Sequence, residues 1–225
     1  LRNSDRTLFS FEILPPLKGH DIRSIYAGID PLMEFKPSFV NVTYHREEVI
    51  YKERGHGLLQ KVRLRKRPGT VGICAVIKAR YEVDMVPHLI CGGFSREDTE
   101  DALIELNFLE IDNVLALRGD PIKSEPHFIP ERDGHAHAED LIRQIAGLNK
   151  GKYLYDEEQE ASPTNLCIGA ACYPEKHAEA LNPAIDLAYL KRKVEAGAEY
   201  LVTQMFFDNR RYFDFVERCR QEGIM

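Results

Sequence analysis

The sequence predicts a parallel α/β fold made of consecutive βα units, and three observations predict it. Short apolar runs rich in β-branched and aromatic residues alternate with longer amphipathic stretches, the pattern of strands joined through helical crossovers. The chain has 225 residues, slightly under the roughly 250 of a (β/α)8 barrel and well within a single α/β domain. Hydrophobic residues make up 44% and charged residues 29%, enough for a substantial core and unlike a disordered chain.

Six strand candidates follow in order, at residues 7–13, 38–44, 83–91, 113–117, 165–172 and 200–206, each succeeded by a helical pattern. The first ends at Pro15-Pro16. The second leads to the basic run Lys61-Val62-Arg63-Leu64-Arg65-Lys66-Arg67, expected as a solvated helix end, then Pro68-Gly69 and an apolar helical stretch over 70–81. After the third strand, Ser95 caps a helix with Asp98 three residues on, in place of the usual Glu, and Leu103, Leu106 and Leu109 follow. After the fifth, Asn182 is the cap and Pro183 the first helical residue; Leu187, Leu190 and Val194 repeat at i, i+3 and i+7, opposite Asp186, Tyr189, Arg192 and Lys193. The connections after strands two, four and five are long, which a compact domain rarely carries without a functional reason. The acidic run at 156–160 is expected to be a mobile surface loop. No internal repeat or domain linker interrupts the chain.

Composition excludes several classes. Thirty basic against thirty-six acidic side chains give a net charge of -6, the reverse of a nucleic-acid-binding footprint. No run approaches the roughly 18 apolar residues needed to span a bilayer, and the opening Leu1-Arg2-Asn3-Ser4-Asp5-Arg6 lacks a signal-peptide core. The expectation is a cytoplasmic protein with no nucleic-acid or membrane partner. Cys74, Cys91, Cys167, Cys172 and Cys219 are odd in number and form no C-x-x-C pair, so buried reduced thiols are expected. The sequon Asn41-Val42-Thr43 and the tripeptide Arg118-Gly119-Asp120 read as coincidences outside a secretory setting.

In βα barrels the active site lies at the C-terminal ends of the strands. Nearly every strand here supplies a polar residue there: Glu12; Thr43 and Tyr44; His88; Arg118, Gly119 and Asp120; Tyr173, Glu175 and His177; Gln204. Each alone reads as readily as a solvated strand end, a satisfied core histidine or a core aromatic; six at one end shift the balance toward a site. Glu12 on an apolar strand would favour a protonated carboxyl, and Arg118 beside Asp120 an ionised one, supplying a general acid and a persistent anion. Metal ligation has weak support: His88 and Cys91 are three apart on a strand and point to opposite faces, and His135-x-His137 lies in a Gly-containing connection. No dinucleotide-binding, P-loop or hydrolase-elbow motif occurs.

Seven ordered motifs then resemble methylenetetrahydrofolate reductase, in its short bacterial form. They are Ser10-Phe11-Glu12-Ile13-Leu14-Pro15-Pro16, Val42-Thr43-Tyr44, Pro87-His88-Leu89, Ala116-Leu117-Arg118-Gly119-Asp120, Tyr173-Pro174-Glu175-Lys176-His177, Leu190-Lys191-Arg192-Lys193-Val194 with Ala196-Gly197-Ala198, and Thr203-Gln204-Met205-Phe206-Phe207-Asp208. They span essentially the whole chain. The resemblance implies a (β/α)8 barrel with non-covalent FAD, taking hydride from NADH or NADPH and reducing 5,10-methylenetetrahydrofolate to 5-methyltetrahydrofolate, in the one-carbon metabolism that feeds methionine biosynthesis. It implies Glu12 as general acid, Asp120 as the carboxylate stabilising a cationic intermediate, and Gln204 as the contact to folate and nicotinamide in turn. It implies FAD contacts at Thr43, Tyr44, His88, Arg118, Gly119, Asp120, Ala138, Tyr173, His177, Asp186, Arg192 and Lys193, and a homo-oligomer.

Two stretches depart from the family pattern: His45-Arg46 stands where many members have Gly and a small residue, and His137-Ala138-Glu139-Asp140 where they often have Tyr-Ala-Ser-Asp. Six units in 225 residues further imply one FAD-binding domain over 1–225, lacking roughly the last two βα units. Two competing readings are a non-catalytic partial barrel serving as a binding or assembly subunit, and the same enzyme taking electrons from a partner protein.

Overall fold

A computed structural model describes residues 7–155 and 161–224 of the chain. The acidic run at 156–160, the opening Leu1–Arg6 segment and Met225 lie outside the described residues. In chain order the elements are β1 (Ser10–Ile13), α1 (Arg23–Ile29) with a 3-10 turn (Asp30–Phe35), β2 (Phe39–Val42), β3 (Glu48–Glu53), β4 (Leu59–Leu64), α2 (Thr70–Tyr81), β5 (Asp84–Ile90), α3 (Arg96–Phe108), β6 (Asn113–Leu117), α4 (Ala138–Leu148), β7 (Cys167–Cys172), α5 (Pro183–Ala196), β8 (Tyr200–Thr203) and α6 (Asn209–Gln221). Six strands form one sheet in the order β1-β2-β5-β6-β7-β8, every neighbouring pair parallel.

All six predicted strands form, most of them shorter than the apolar runs that announced them. The residues trimmed away, such as those at 7–9 and 204–206, lie beyond the ladder of parallel pairs. Three helix starts, those of α3, α5 and α6, follow their local chemistry. Ser95 and Asp98 make a reciprocal capping box on α3, and the Asn182 side chain accepts from Ile185 N at the start of α5, with Pro183 as its first residue. Asp208 caps α6 through Arg210 N.

One expectation is overturned. The basic run is not a helix end: Lys61–Leu64 lies within β4, which pairs antiparallel with β3 as a separate hairpin. The turn is made by Gly55, His56 and Gly57, all at positive φ, where glycine carries no Cβ penalty. Mostly exposed strands with charged residues on both faces lack the apolar alternation that reveals a strand in sequence.

The sheet's two faces differ. Val40, Val42, Met85, Leu89, Val114, Ala116, Ile168 and Ala170 pack with helix residues such as Ile77, Leu103, Leu106, Leu141 and Ile145 into one continuous core. The other face carries the aligned set Glu12, Asn41 and Val86, and one level on, His88, Leu115, Gly169 and Tyr200. Parallel pairing keeps aligned residues on one side, so Glu12 and His88 share that inner face. A Cβ on Gly169 would lie 2.2 Å from Tyr200 Cζ: the ring lies across the glycine and its hydroxyl donates to Val114 O at 3.0 Å. All five cysteines are buried and free, and burial pushes the Cys91 and Cys172 thiols up to about 12. No helix among the described residues is long and apolar enough to cross a membrane.

Candidate functional site

The polar residues singled out in the sequence cluster where strand ends turn into loops. On the inner face, His88 is 6% exposed and its Nε2 has no hydrogen-bond partner. Glu12 Oε2 is 3.7 Å from it, too far for a hydrogen bond. Burial pulls the imidazole down to about 4, leaving it neutral at physiological pH. Ion-pair distance and depressed basicity point opposite ways here. The depression prevails because Glu12 is 60% exposed and water screens its charge. That exposure corrects one expectation: Glu12 does not sit in an apolar pocket. Its strand has apolar neighbours, but they point to the helix side, while Glu12, on the inner side at the edge strand, is exposed.

A second group gathers around the β6 and β7 exits. Arg118 does not pair with Asp120 as its sequence position suggests; it grips Glu179 in a bidentate pair at 2.6 and 2.8 Å. This bond raises Arg118 further and lowers Glu179. Asp120 is exposed, and its charge, after burial, helps raise the Tyr173 hydroxyl. Tyr173 meets His177 edge-on at 4.7 Å, and Asp186 Oδ2 accepts from His177 N at 2.9 Å. Lys193 Nζ donates to Ala171 O at 2.9 Å and lies 5.7 Å from the Tyr173 ring centre, its ammonium lowered chiefly by burial.

The remaining candidates sit apart. Arg192, adjacent to Lys193 and so turned about 100° around the helix, pairs with Glu139 at 3.0 Å and covers Tyr189. The two cations therefore do not point together. Ala138 is buried at the start of α4. Thr43 N and Oγ1 both reach Ile13 O, tying the β2 exit to β1, and half-buried Tyr44 packs edge-on against Phe94 at 5.0 Å. Gly119 adopts φ +84° in a turn packed over Ile90. Gln204 is exposed beyond β8, its N–H bonded to Cys172 O and its Oε1 to Met205 N. No hydrogen bond or ion pair joins Glu12, Asp120 and Gln204 to one another among the described residues. Beside the hairpin, a cavity of about 300 Å³ is lined by Tyr44, Arg46, Arg63, Phe94, Asp98 and Glu131.

Two features escape sequence reading. Glu179 carries no motif: its carboxylate is met by Arg118, 61 positions away, and only its backbone N–H makes a local bond, to His177 Nδ1 at 3.2 Å. The Arg46 ion pairs to Glu125 and Glu131 span 79 and 85 positions and leave no local trace.

Comparison with known proteins adds the lineage. A protein-family model described as Methylenetetrahydrofolate reductase matches residues 1–225. "Methylenetetrahydrofolate reductase (NADH) 1" of Zea mays is 32% identical over 97% of this chain and 34% of its own length. The 5,10-methylenetetrahydrofolate reductases of Salmonella typhimurium and Escherichia coli are 32% and 30% identical over 96% of this chain and 60% of theirs. The chain thus spans about a third of the plant relative and 60% of the bacterial ones. Among solved structures, oxaloacetate acetylhydrolase aligns over 95% of this chain at TM-score 0.55 and 10% identity. The trigonal crystal form of 2,3-dimethylmalate lyase aligns over 94% at 0.54 and 7%. At that identity the likeness is one of fold: a curled parallel sheet forming a partial barrel.

Proposed function

The chain belongs to the methylenetetrahydrofolate reductase family, and on that premise we propose that its strand ends carry the FAD-dependent reduction of 5,10-methylenetetrahydrofolate to 5-methyltetrahydrofolate. In this reading the six βα units are part of a (β/α)8 barrel, and the protein is a cytoplasmic homo-oligomer of one-carbon metabolism. NADH is the donor to test first, since the maize relative's name specifies it.

The main support is the inner face itself: a buried imidazole nitrogen with no partner, His88 Nε2, beside an exposed carboxylate, Glu12. A buried polar atom left unpaired costs roughly 1–3 kcal/mol, and a bound polar ring would satisfy it. The neighbouring groups fit a flavin dinucleotide: aromatic faces at Tyr44 and Tyr173, a cation at Lys193 beside Tyr173, and a second, held in place by Glu179, at Arg118. When bound, FAD would supply the acceptance of hydride from the nicotinamide and its delivery to the one-carbon unit.

The protein's own residues would control the protons and charges. Glu12 is the proposed general acid: its proton passes to the bridging folate nitrogen, whose bond to the methylene carbon breaks, leaving an iminium that accepts hydride. A substrate laid over exposed Glu12 would exclude water from this carboxyl, and exclusion of water favours the neutral form of any carboxyl. Asp120 is the proposed fixed anion facing the cationic intermediate, and Gln204 the amide that contacts folate and nicotinamide in alternate half-reactions. Thr43, Gly119, Ala138, His177, Asp186 and Arg192 complete the proposed cofactor contacts, Asp186 by holding the His177 turn.

The test is a visible spectrum of the full-length protein with anaerobic NADH titration. The expected result is a flavin spectrum that bleaches with NADH and returns on adding 5,10-methylenetetrahydrofolate. A colourless protein that cannot be reconstituted with FAD would overturn the reading.

A further inference from the structure

The most deeply buried ion pair among the described residues lies outside the groups just assigned. Arg46, in the loop after β2, has a side chain 11% exposed; Glu125, which it meets at 2.7 Å, is 13% exposed. Its second nitrogen donates to Glu131 Oε1 at 3.3 Å, and Arg63 of β4 reaches the other oxygen of Glu131, also at 3.3 Å. Glu125 Oε2 further accepts from Ile122 N. Both carboxylates belong to the connection at 118–137, which has no helix or strand of its own.

The stem of Arg46 is fitted as closely as its head. A Cβ on Gly92 would lie 3.1 Å from Arg46 Cδ and 3.2 Å from Phe128 Cε2; on Gly93, 3.1 Å from Arg46 Cγ. The turn after β5 is therefore glycine because Arg46 and Phe128 both lie on it. Phe128, in the same connection, has the Arg118 guanidinium 5.1 Å from its ring centre. Arg46 thus joins the exits of β2 and β5, the hairpin, and the segment that carries Arg118 and Asp120.

We propose that Arg46 is a positioning residue: it fastens the 118–137 connection to the loops after β2 and β5, and so fixes where Arg118 and Asp120 stand. Its consequence for cofactor binding rests on the flavin reading above, whereas the fastening itself does not. The planar guanidinium fork serves two carboxylates at once, which the point charge of a lysine does not. Removing it leaves Glu125 buried without its counter-charge.

The experiment compares the full-length protein with Arg46→Met, Arg46→Lys and, as a control on the same connection, Arg132→Met, whose side chain is 97% exposed. Three readouts are taken: amide hydrogen exchange resolved by segment, melting temperature, and the FAD dissociation constant of the apoprotein from flavin fluorescence. Exchange within 118–137, where Glu125 and Gly134 donate backbone bonds, should quicken about tenfold or more in Arg46→Met and less in Arg46→Lys. It should stay unchanged in Arg132→Met, and exchange in β6 and β7 should stay at the parent rate in all variants. FAD affinity should weaken about tenfold in Arg46→Met, with partial rescue by lysine.

Unchanged exchange at 118–137, or a speed-up spread evenly over the sheet, overturns the proposal. So does FAD affinity equal to the parent's despite a loosened connection. If the parent binds no FAD yet exchange at 118–137 still responds to Arg46, the flavin reading fails and the fastening stands. Should Arg46→Met not fold, Glu125→Gln, which keeps the bond to Glu131, is judged by the same criteria.

Discussion

Replacing His88 by leucine should change how stability depends on pH. In the folded protein burial holds the imidazole down to about 4, against its usual 6.5. Between those values the unfolded chain takes up a proton that the folded chain refuses, so folding loses stability as pH falls. The contribution is fully present above pH 6.5, is lost through the window, and levels off below about 4. Each pH unit inside the window removes about 1.4 kcal/mol, so lowering pH from 6.5 to 5 costs about 2 kcal/mol and crossing the window about 3. Glu12, at 3.7 Å and 60% exposed, is too well hydrated to offset this. His88→Leu fills the space without a titrating group, and Glu12 is common to both proteins, so the difference between them reports on His88. Urea denaturation of both as cofactor-free proteins at pH 8, 6.5, 5.5 and 5 gives the difference directly. The leucine variant should gain on the parent by about 2 kcal/mol between pH 6.5 and 5. Parallel pH profiles would refute the reasoning, because they would mean that His88 is solvated or partnered in solution.

Three further outcomes follow from particular contacts. Glu12→Gln should leave flavin reduction by NADH near the parent rate and abolish folate reduction, as read by stopped-flow of each half-reaction; equal loss in both removes Glu12 from the acid role. Gly169→Val must displace the Tyr200 ring, which a Cβ would approach to 2.2 Å, and should cost about 3 kcal/mol in denaturant unfolding, whereas Gly28→Ala, with nothing within 4 Å, should be neutral or stabilising. Ser95→Ala removes the side-chain acceptor of Asp98 N and should lower stability by about 1 kcal/mol.

The elements legible in the sequence are those whose structure depends on neighbours in the chain. The α5 start at Asn182-Pro183, the α3 box of Ser95 and Asp98, and the extent of α2 over Thr70–Tyr81 all follow from short-range chemistry and form as expected. Asn113–Leu117 forms with the expected limits because it is central in the sheet and paired on both sides. The hairpin of β3 and β4 is not legible in the sequence because both strands are largely exposed and rich in charge, so no apolar periodicity marks them. The position of Glu12 at a strand end was legible, but its exposure was not. The apolar residues around it in sequence belong to the opposite face.

The order of residues by itself settles the alternation of the six sheet strands with their helices, the caps that start α3 and α5, and which polar side chains lie at the strand ends. All of these are set by interactions within a few positions along the chain. Packing settles what those side chains meet. Arg118 holds Glu179, 61 positions away, and not adjacent Asp120; Arg46 reaches across 79 positions to Glu125; Arg192 and Lys193 part company around one helix turn. His88 Nε2 is left buried without a partner. Such pairings depend on where loops from different strands converge, and whether a side chain meets water depends on what packs over it, so neither is written in any local run of the sequence.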